Sequence, residues 1–270
     1  MTLEFNNEKE HIMKYLRSFL LTLLFSAWAI SAVASEPFDV HVFGNFKRML
    51  HSGNTQGVVR LGEILTPPGS YGLGALEGLR GEILLWDGKF LVSRGHTGNG
   101  AVEPPVPADE AVFFVEARVE AWDETVIPSD MTRAEFEEFL LQTGARRGLS
   151  TDRAFPFAIR GNFPRVLWHV VTGASSAHGN QGAEASRVHP QGHARTGVFD
   201  QANVAGFLLG FHSGAALEGV ISHPGERFHI HYADSRFSVS GHVDDYRIAS
   251  GAVLLLPRRY HTAPDLFLMG

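Results

Sequence analysis

The segments 228–232, Phe-His-Ile-His-Tyr, and 241–243, Gly-His-Val, decide how the C-terminal part of this chain folds. Because side chains alternate along a β-strand, His229 and His231 share one face of a strand and the apolar residues beside them share the other. The Asp-Ser-Arg sequence that follows favours a turn, and a hairpin folded there sets His242 opposite His231 on the same face. The sequence therefore predicts a hairpin with three imidazoles on one side.

Three neutral imidazoles that meet at one point are typical of a catalytic metal site. They bind zinc or a similar divalent ion and leave at least one coordination position for water or substrate. A His-x-His pair alone occurs as readily among surface or packed histidines, so the metal interpretation depends on His242 on the returning strand. The chain has 14 His and no Cys, which excludes thiolate ligands, disulfides and a cysteine nucleophile.

Composition limits the class of partner. The 270 residues are 44% hydrophobic and 19% charged, with a formal net charge of -6, which predicts a folded globular chain. No cluster of Lys and Arg supplies the concentrated basic face that phosphate neutralisation requires, so we expect no nucleic-acid partner. Acidic or neutral small molecules remain open as substrates.

The N-terminal residues have the pattern of a secretory signal. Lys14 and Arg17 precede an apolar run, residues 19–30, that is too short to span a bilayer comfortably, and Ala-Val-Ala at 32–34 is a small-x-small cleavage pattern. We predict that residues 1–34 are a signal peptide and that the protein is exported, either to a periplasm or to the medium. No second long apolar run follows, so the mature protein is expected to have no membrane partner.

Short strands separated by Gly and Pro turns account for most of the mature chain. Asp87-Gly88, between two apolar runs, favours a tight hairpin because both residue types tolerate positive φ. One helix stands out, where Thr132 and Glu135 form a capping box ahead of an apolar helical stripe. We predict strands over residues 82–86, 89–92, 111–117, 155–160, 166–171, 204–211, 228–232, 237–243 and 252–256.

The segment 173–192 is rich in Gly, Ala, Ser and His and is typical of a loop or linker. It divides an N-terminal half with a mixed sheet, residues 35–172, from a C-terminal metal-binding half, residues 193–270. Three histidines in or just beyond this linker are expected to be exposed rather than metal ligands: His178, His189 and His193.

Two known families combine a His-x-His strand with further metal ligands. Cupins place a Glu three or four residues after the second His, where this chain has Ser235 and Arg236. A longer set of motifs occurs in one order along the chain: Tyr71-Gly72-Leu73-Gly74, Leu79-Arg80-Gly81-Glu82-Ile83, Trp86-Asp87-Gly88-Lys89, Met131-Thr132-Arg133, Phe157-Ala158-Ile159-Arg160, Phe199-Asp200-Gln201-Ala202-Asn203-Val204, Leu209-Gly210-Phe211, and His229, His231 and Gly241-His242-Val243. In these motifs the sequence resembles the acetolactate decarboxylase family over nearly the whole mature chain.

This resemblance implies an exported, zinc-dependent carbon–carbon lyase that converts 2-acetolactate, a 2-hydroxy-3-oxo acid, to acetoin and CO2. It implies that His229, His231 and His242 bind Zn2+ or another divalent ion, whose Lewis acidity stabilises the enolate. Glu82 is then the catalytic residue that transfers a proton to or from carbon, and Arg160 is the catalytic residue that places or stabilises the carboxylate.

The resemblance also implies the fold and the assembly. The expected fold class is strand-rich α/β, with two mixed β-sheets, few helices and a barrel-like, metal-bearing C-terminal sheet, in a homodimer. The strand pattern alone leaves α+β and all-β folds open.

Two departures from the family pattern leave other functions open. Ala75 stands where the family often has Thr, and no Glu follows Glu226 to match the family's C-terminal glutamate. A related lyase or isomerase on another 2-hydroxy-3-oxo acid, or a non-catalytic metal-binding relative, fits the same sequence. Three carboxylates are candidates to accept the second ring N–H of a ligand histidine: Glu218, Asp244 and Asp245.

Overall fold

Two antiparallel β-sheets make up the fold, as seen in a computed structural model that describes residues 38–174, 187–188 and 194–258. The predicted signal, residues 1–34, and the linker histidines His178, His189 and His193 lie outside the described residues. The prediction of a strand-rich fold with two sheets and few helices is confirmed. None of the helices in the described ranges has the length and apolar character needed to cross a membrane.

The first sheet is built around the predicted hairpin. Asp87 and Gly88 both have positive φ, at 48° and 79°, as a tight type I′ turn requires. The strands are β1 (Val40–Phe43), β2 (Val59–Arg60), β3 (Ser70–Leu76), β4 (Gly81–Trp86), β5 (Lys89–Arg94), β6 (Val102–Glu103) and β7 (Glu110–Arg118). The strand order is β1-β7-β3-β4-β5-β6, and β2 also pairs with β7.

The second sheet is built from eight strands in the described residues: β8 (Trp122–Val126), β9 (Met131–Thr132), β10 (Phe155–Ala174), β11 (Arg187–Val188), β12 (Ala194–His212), β13 (Phe228–Asp234), β14 (Ser240–Ile248) and β15 (Val253–Pro257). Their order is β11-β12-β13-β14-β10-β15-β8, with β9 paired to β14. Because β12 also pairs with β10, the strands β10, β12, β13 and β14 close a ring of pairings.

Two features of the sheets differ from the sequence expectation. Every pairing among the described strands is antiparallel rather than mixed. The strands predicted at 155–160 and 166–171 are one strand, β10, which continues through Pro164. Pro164 is tolerated because the ladder with β12 is interrupted opposite it, where Asn203 has a positive φ of 54°.

Two α-helices within the described ranges, α1 (Phe46–Ser52) and α2 (Arg133–Arg146), flank the sheets. The predicted capping box is present, since the Thr132 side chain accepts from the Glu135 backbone and the Glu135 side chain accepts from the Thr132 backbone. Phe136 of α2 is fully buried, and its ring lies 6.2 Å from that of Phe157 and 6.0 Å from that of Tyr246, measured between centroids. The apolar stripe of α2 therefore packs on the second sheet.

The ring of strands is filled with large side chains. Tyr232 contacts the rings of Phe163 and Trp168, and all three are at most 1% exposed. The opposite face of the second sheet packs against the first sheet, and one apolar cluster there joins Tyr71 and Leu84 to residues of β10, β12, β13 and β15. The histidines of the predicted hairpin lie on this opposite face, between the two sheets.

Candidate metal centre

The predicted hairpin sets the three histidines side by side. His231 on β13 is the direct partner of His242 on β14, as the sequence predicted, and His229 lies two residues along the same face. Gly241 allows β14 to lie close to β10, because a Cβ at this position would meet the His169 carbonyl oxygen and the Trp168 ring at 2.5 Å. Only glycine lets β14 approach β10 closely enough to hold His242 in place.

The geometry of the three rings fits a metal ion. One ligand nitrogen from each of His229, His231 and His242 lies within 4.8 Å of the others, and the residues are 3%, 0% and 8% exposed. His229 donates its Nδ1–H to the Ile221 carbonyl oxygen at 2.8 Å, which leaves Nε2 as an acceptor for a metal. Among the described residues, neither ring nitrogen of His231 has a hydrogen-bond partner. Buried polar atoms without partners are rare, and a bound cation satisfies them.

Burial keeps all three ligand histidines neutral, which is the form that binds metal. Desolvation lowers the pKa of His229 to about 4. Desolvation also lowers the pKa of His231 and of His242 well below their ordinary values. Because the neutral imidazole is the ligand form, no proton has to be displaced when a metal binds at neutral pH.

Glu82 reaches the site from the first sheet. It is 4% exposed, its Oε2 lies 3.7 Å from Nε2 of His231, and its Oε1 accepts the Val171 backbone N–H at 3.2 Å. Burial raises the pKa of Glu82 to about 7, against the opposing effects of nearby His169 and the Val171 N–H. The structure therefore brings Glu82 together with the three histidines, and a buried carboxyl with a raised pKa marks a candidate functional residue.

A fourth histidine, His169, lies beside the site and was missed from the sequence. It is the partner of His242 in the β10–β14 pairing, with 4.8 Å between ring centroids, and it is 4% exposed. Its Nδ1 lies 2.8 Å and 3.0 Å from the two oxygens of Asp244. Burial disfavours its charged form, but the hydrogen bond and charge of Asp244, with the charge of Glu82, raise the pKa of His169 overall.

The register explains how Asp244 reaches His169. The β10–β14 ladder shifts between Leu167, which pairs with Asp245, and Trp168, which pairs with Val243, so that Asp244 is the extra residue of a bulge. The Gly-His-Val motif was a usable signal for β14. No local pattern, however, predicted that β10 would be its neighbour.

The other predicted carboxylate partners lie elsewhere. Asp245 pairs with Arg165 at 2.8 Å, and Glu218 lies 3.6 Å from Arg227. Asp244 contacts His169 instead of one of the three ligands. The group that orients a ligand ring is a backbone carbonyl, that of Ile221.

Arg160 lies on the surface. Its side chain is 47% exposed, and Nη2 pairs with Oε2 of Glu124 at 2.7 Å. In the ladders Arg160 is opposite Phe207 of β12, with β12 between it and the histidine strand β13. The structure thus places four of the five predicted site residues together and the fifth in an exposed ion pair.

Aromatic residues and a loop complete the surroundings. The Phe113 ring stacks on His229, with 5.6 Å between centroids and 19° between planes. Ala75, the position noted in the sequence, is the partner of Glu82 and is buried on the same face of the first sheet. A loop over residues 213–227 brings His223 to 5.5 Å from His242, centroid to centroid.

Fold and site together define a class of protein, a two-sheet protein in which three buried histidines that can hold a metal ion face a carboxylate from the other sheet. The family model for alpha-acetolactate decarboxylase matches residues 44–258. The chain therefore belongs to the alpha-acetolactate decarboxylase family, and both the resemblance seen in the motifs and the prediction of a carbon–carbon lyase are confirmed.

Relatives and solved structures agree with this assignment. The alpha-acetolactate decarboxylase of Lactococcus lactis subsp. lactis (strain IL1403) is 27% identical over 205 residues, covering 76% of this chain and 78% of that protein. The enzyme of the same name from Methanosarcina mazei is 27% identical over 206 residues, covering 75% and 64%.

The fold itself is shared with solved structures. The acetolactate decarboxylase of Bacillus subtilis subspecies spizizenii matches with a TM-score of 0.64 and 22% identity, over 81% of this chain and 86% of that chain. A Staphylococcus aureus protein of unknown function, described as similar to alpha-acetolactate decarboxylase, matches with a TM-score of 0.59 and 16% identity, over 82% and 86%.

Proposed function

We propose that this protein is a zinc-dependent decarboxylase that converts 2-acetolactate to acetoin and CO2. The observation that carries the proposal is the convergence of His229, His231 and His242 with Glu82 in one buried layer between the sheets. Membership of the family supports the reaction. The donor set of three neutral imidazoles, which is typical of catalytic zinc sites, supports zinc.

A zinc ion held by the three histidines would supply Lewis acidity where negative charge develops as CO2 leaves. Glu82 is placed to move the proton. Burial raises the pKa of Glu82 to about 7, so this carboxyl holds a proton more readily than an ordinary glutamate; it can give that proton to the carbon that has lost CO2 and then recover one from water. Burial between the sheets keeps bulk water away from this transfer.

The geometry favours His169 for the cationic role that the resemblance gives to Arg160. His169 is buried beside His242 and is held by Asp244, whereas Arg160 is engaged by Glu124 on the surface. A histidine whose pKa is raised by a neighbouring carboxylate carries charge more readily than an ordinary one. Arg160 stays a prediction of the resemblance.

A related lyase or isomerase on another 2-hydroxy-3-oxo acid is the second candidate function. Ala75 favours it, because this residue lies opposite Glu82 on the site face and offers no hydroxyl to a substrate. A non-catalytic metal-binding relative is the third candidate. Export by a cleaved signal and assembly into a homodimer are further parts of the proposal, which N-terminal sequencing and light scattering of purified protein will test.

The decisive experiment is acetoin formation from racemic acetolactate by purified, metal-analysed protein. We expect one zinc per chain and acetoin release. Glu82→Gln should keep the metal and the fold but slow turnover about a hundredfold or more, the usual scale of general acid-base help. Glu116→Gln is a matched control, because Glu116 is also a glutamate of the first sheet and is partly buried. It lies on β7 opposite His41 of β1 in the strand register, away from the three ligand histidines.

Each outcome separates the candidates. Metal binding without acetoin from acetolactate, but with turnover of a homologous acid, would favour the second candidate. Metal binding without turnover of any such acid would favour the third. Near-normal turnover by Glu82→Gln would remove Glu82 from the catalytic residues while leaving the reaction in place.

A further inference from the structure

The loop over residues 213–227, here called the covering loop, lies between the metal centre and solvent. Its base is closed by a hydrogen bond from the Ser213 N–H to the Arg227 carbonyl oxygen at 2.8 Å. Ile221 within it is fully buried, and its carbonyl oxygen orients His229. Two residues later the chain returns toward the surface, and His223 is only partly buried.

The covering loop is held against α1 and against itself. The Phe46 and Lys47 backbone N–H groups donate to carbonyl oxygens of the loop at 3.0 Å and 2.7 Å. A tight turn follows His223, whose carbonyl oxygen accepts the Glu226 N–H at 3.0 Å, and the Ser222 hydroxyl donates to the Glu226 carbonyl oxygen at 2.6 Å. The backbone at His223 is therefore fixed by hydrogen bonds on both sides.

The His223 ring contacts both α1, through Phe46, and the ligand histidine His242. Its centroid lies 4.4 Å from that of Phe46, with 65° between planes, and 5.5 Å from that of His242, with 76° between planes. The spacing to His242 falls within the 4.8–5.6 Å range that separates the three ligand rings from one another. His242 is also the most exposed of the three ligands, so His223 covers the ligand that is nearest to solvent.

We infer that His223 is a specificity-determining residue whose imidazole forms the wall beside His242 and limits the size of the substituent that a bound substrate can place there. The identity of the substrate in this inference rests on the proposed function, whereas the position of the His223 ring beside His242 does not depend on it. His223 is outside the group of three whose nitrogens meet within 4.8 Å, so it acts by occupying space rather than by holding the metal. The Phe46 ring packs edge-on against the His223 ring, with 4.4 Å between centroids.

The test compares two substrates that differ by one methylene, acetolactate and its homologue with ethyl in place of methyl at C2. Such a difference against a pocket wall is worth roughly 10-fold to 200-fold in kcat/KM. We expect His223→Ala to keep one metal per chain and to shift the ratio of the two kcat/KM values toward the ethyl homologue by about tenfold. His223→Phe, which restores a ring of similar size, should return the preference toward that of the unaltered protein.

The control is His51→Ala, because His51 is an exposed histidine in the last turn of α1. It should leave the substrate ratio unchanged. An unchanged ratio in His223→Ala, or loss of metal from it, would overturn the inference. Failure of His223→Phe to restore the preference would also overturn it, since a wall requires only bulk.

A second measurement does not depend on turnover. Release of zinc to pyridine-2,6-dicarboxylate reports how easily a small chelator reaches the solvent side of His242. We expect faster release from His223→Ala than from the unaltered protein, and an unaltered rate for His223→Phe and for His51→Ala. If the protein forms no acetoin, the proposed function fails, but the release rates still test whether His223 forms a wall beside His242. Equal release rates together with normal turnover would overturn the inference about His223 and leave the proposed function in place.

Discussion

The two faces of strand β13 are equally hidden from solvent but are chemically opposite. Phe228, Ile230 and Tyr232 are 7%, 4% and 1% exposed and pack inside the ring of strands, whereas His229 and His231 are 3% and 0% exposed and face the first sheet. The apolar face contributes to stability by removing apolar surface from water. The imidazole face has the opposite effect on stability.

Buried imidazoles without hydrogen-bond partners oppose folding. His231 has none among the described residues, and desolvation lowers the pKa of all three ligand histidines. Leaving a buried polar group unsatisfied costs about 1–3 kcal/mol. One face of β13 therefore stabilises the fold, whereas the other face binds a ligand that offsets the cost of burying the imidazoles. Substitutions on each face can separate these two roles.

The largest effect should come from His231→Leu. Loss of a direct ligand should weaken metal binding by more than the roughly 10-fold to 100-fold that changes in outer partners cause, and acetoin formation should be lost. Because leucine removes two buried ring nitrogens that have no hydrogen-bond partner in the described part of the chain, with Oε2 of Glu82 as far as 3.7 Å from Nε2, the metal-free variant should be about 1–3 kcal/mol more stable than the metal-free parent. Metal titration and denaturant unfolding in a chelator measure the two effects. Lower stability together with retained metal binding would contradict the conclusion that the imidazole face binds the metal at a cost to stability.

The neighbouring residue on the other face should behave in the opposite way. Ile230→Ala deletes buried apolar atoms, and such changes typically cost about 2–5 kcal/mol of folding free energy. Metal stoichiometry of the protein that remains folded should stay at one per chain. Urea unfolding with metal analysis checks this expectation, and loss of metal without loss of stability would show that the two faces are not separable.

Acidification should act on the imidazole face. With the pKa of His229 lowered to about 4 from 6.5, the unfolded chain binds a proton that the folded chain does not bind between these pH values. His229 should therefore contribute about 3 kcal/mol less stability to the metal-free protein once the pH has fallen through this window, against the opposite contribution of Glu82, whose raised pKa favours folding as the pH falls below about 7. Unfolding of the metal-free protein at several pH values measures the slope, and His229→Gln should make it shallower. An equal slope in both proteins would contradict the assignment.

Local patterns predicted the parts of the site that are close in sequence. The register of His231 and His242 followed from alternation and one turn, and the capping box of α2 from two residues. Glu82 was placed by the resemblance alone. Its Oε1 meets the Val171 N–H, 89 residues away, and no periodicity encodes such a contact between sheets.

The same limit explains His169 and the long strand β10. A proline at 164 divides the strand signal locally, whereas pairing with β12 on one side and with β14 and β15 on the other keeps the strand continuous. His169 became a site residue only because that continuity puts it opposite His242. Propensity and spacing describe one strand at a time, and a site between sheets depends on which strands become neighbours.

The smallest effect is expected at Arg160, where the resemblance and the geometry disagree. Arg160 and Glu124 are 47% and 53% exposed, and an exposed ion pair of this kind contributes about 0–1 kcal/mol. Arg160→Ala and Glu124→Ala should each lower stability by no more than that, and neither should change kcat/KM or metal content appreciably. His169→Ala, in contrast, should keep a folded protein but reduce kcat/KM, since it removes the buried imidazole next to His242. If Arg160→Ala loses turnover while Glu124→Ala does not, the guanidinium leaves its surface pair to reach the substrate, and the role that the resemblance gives to Arg160 is correct.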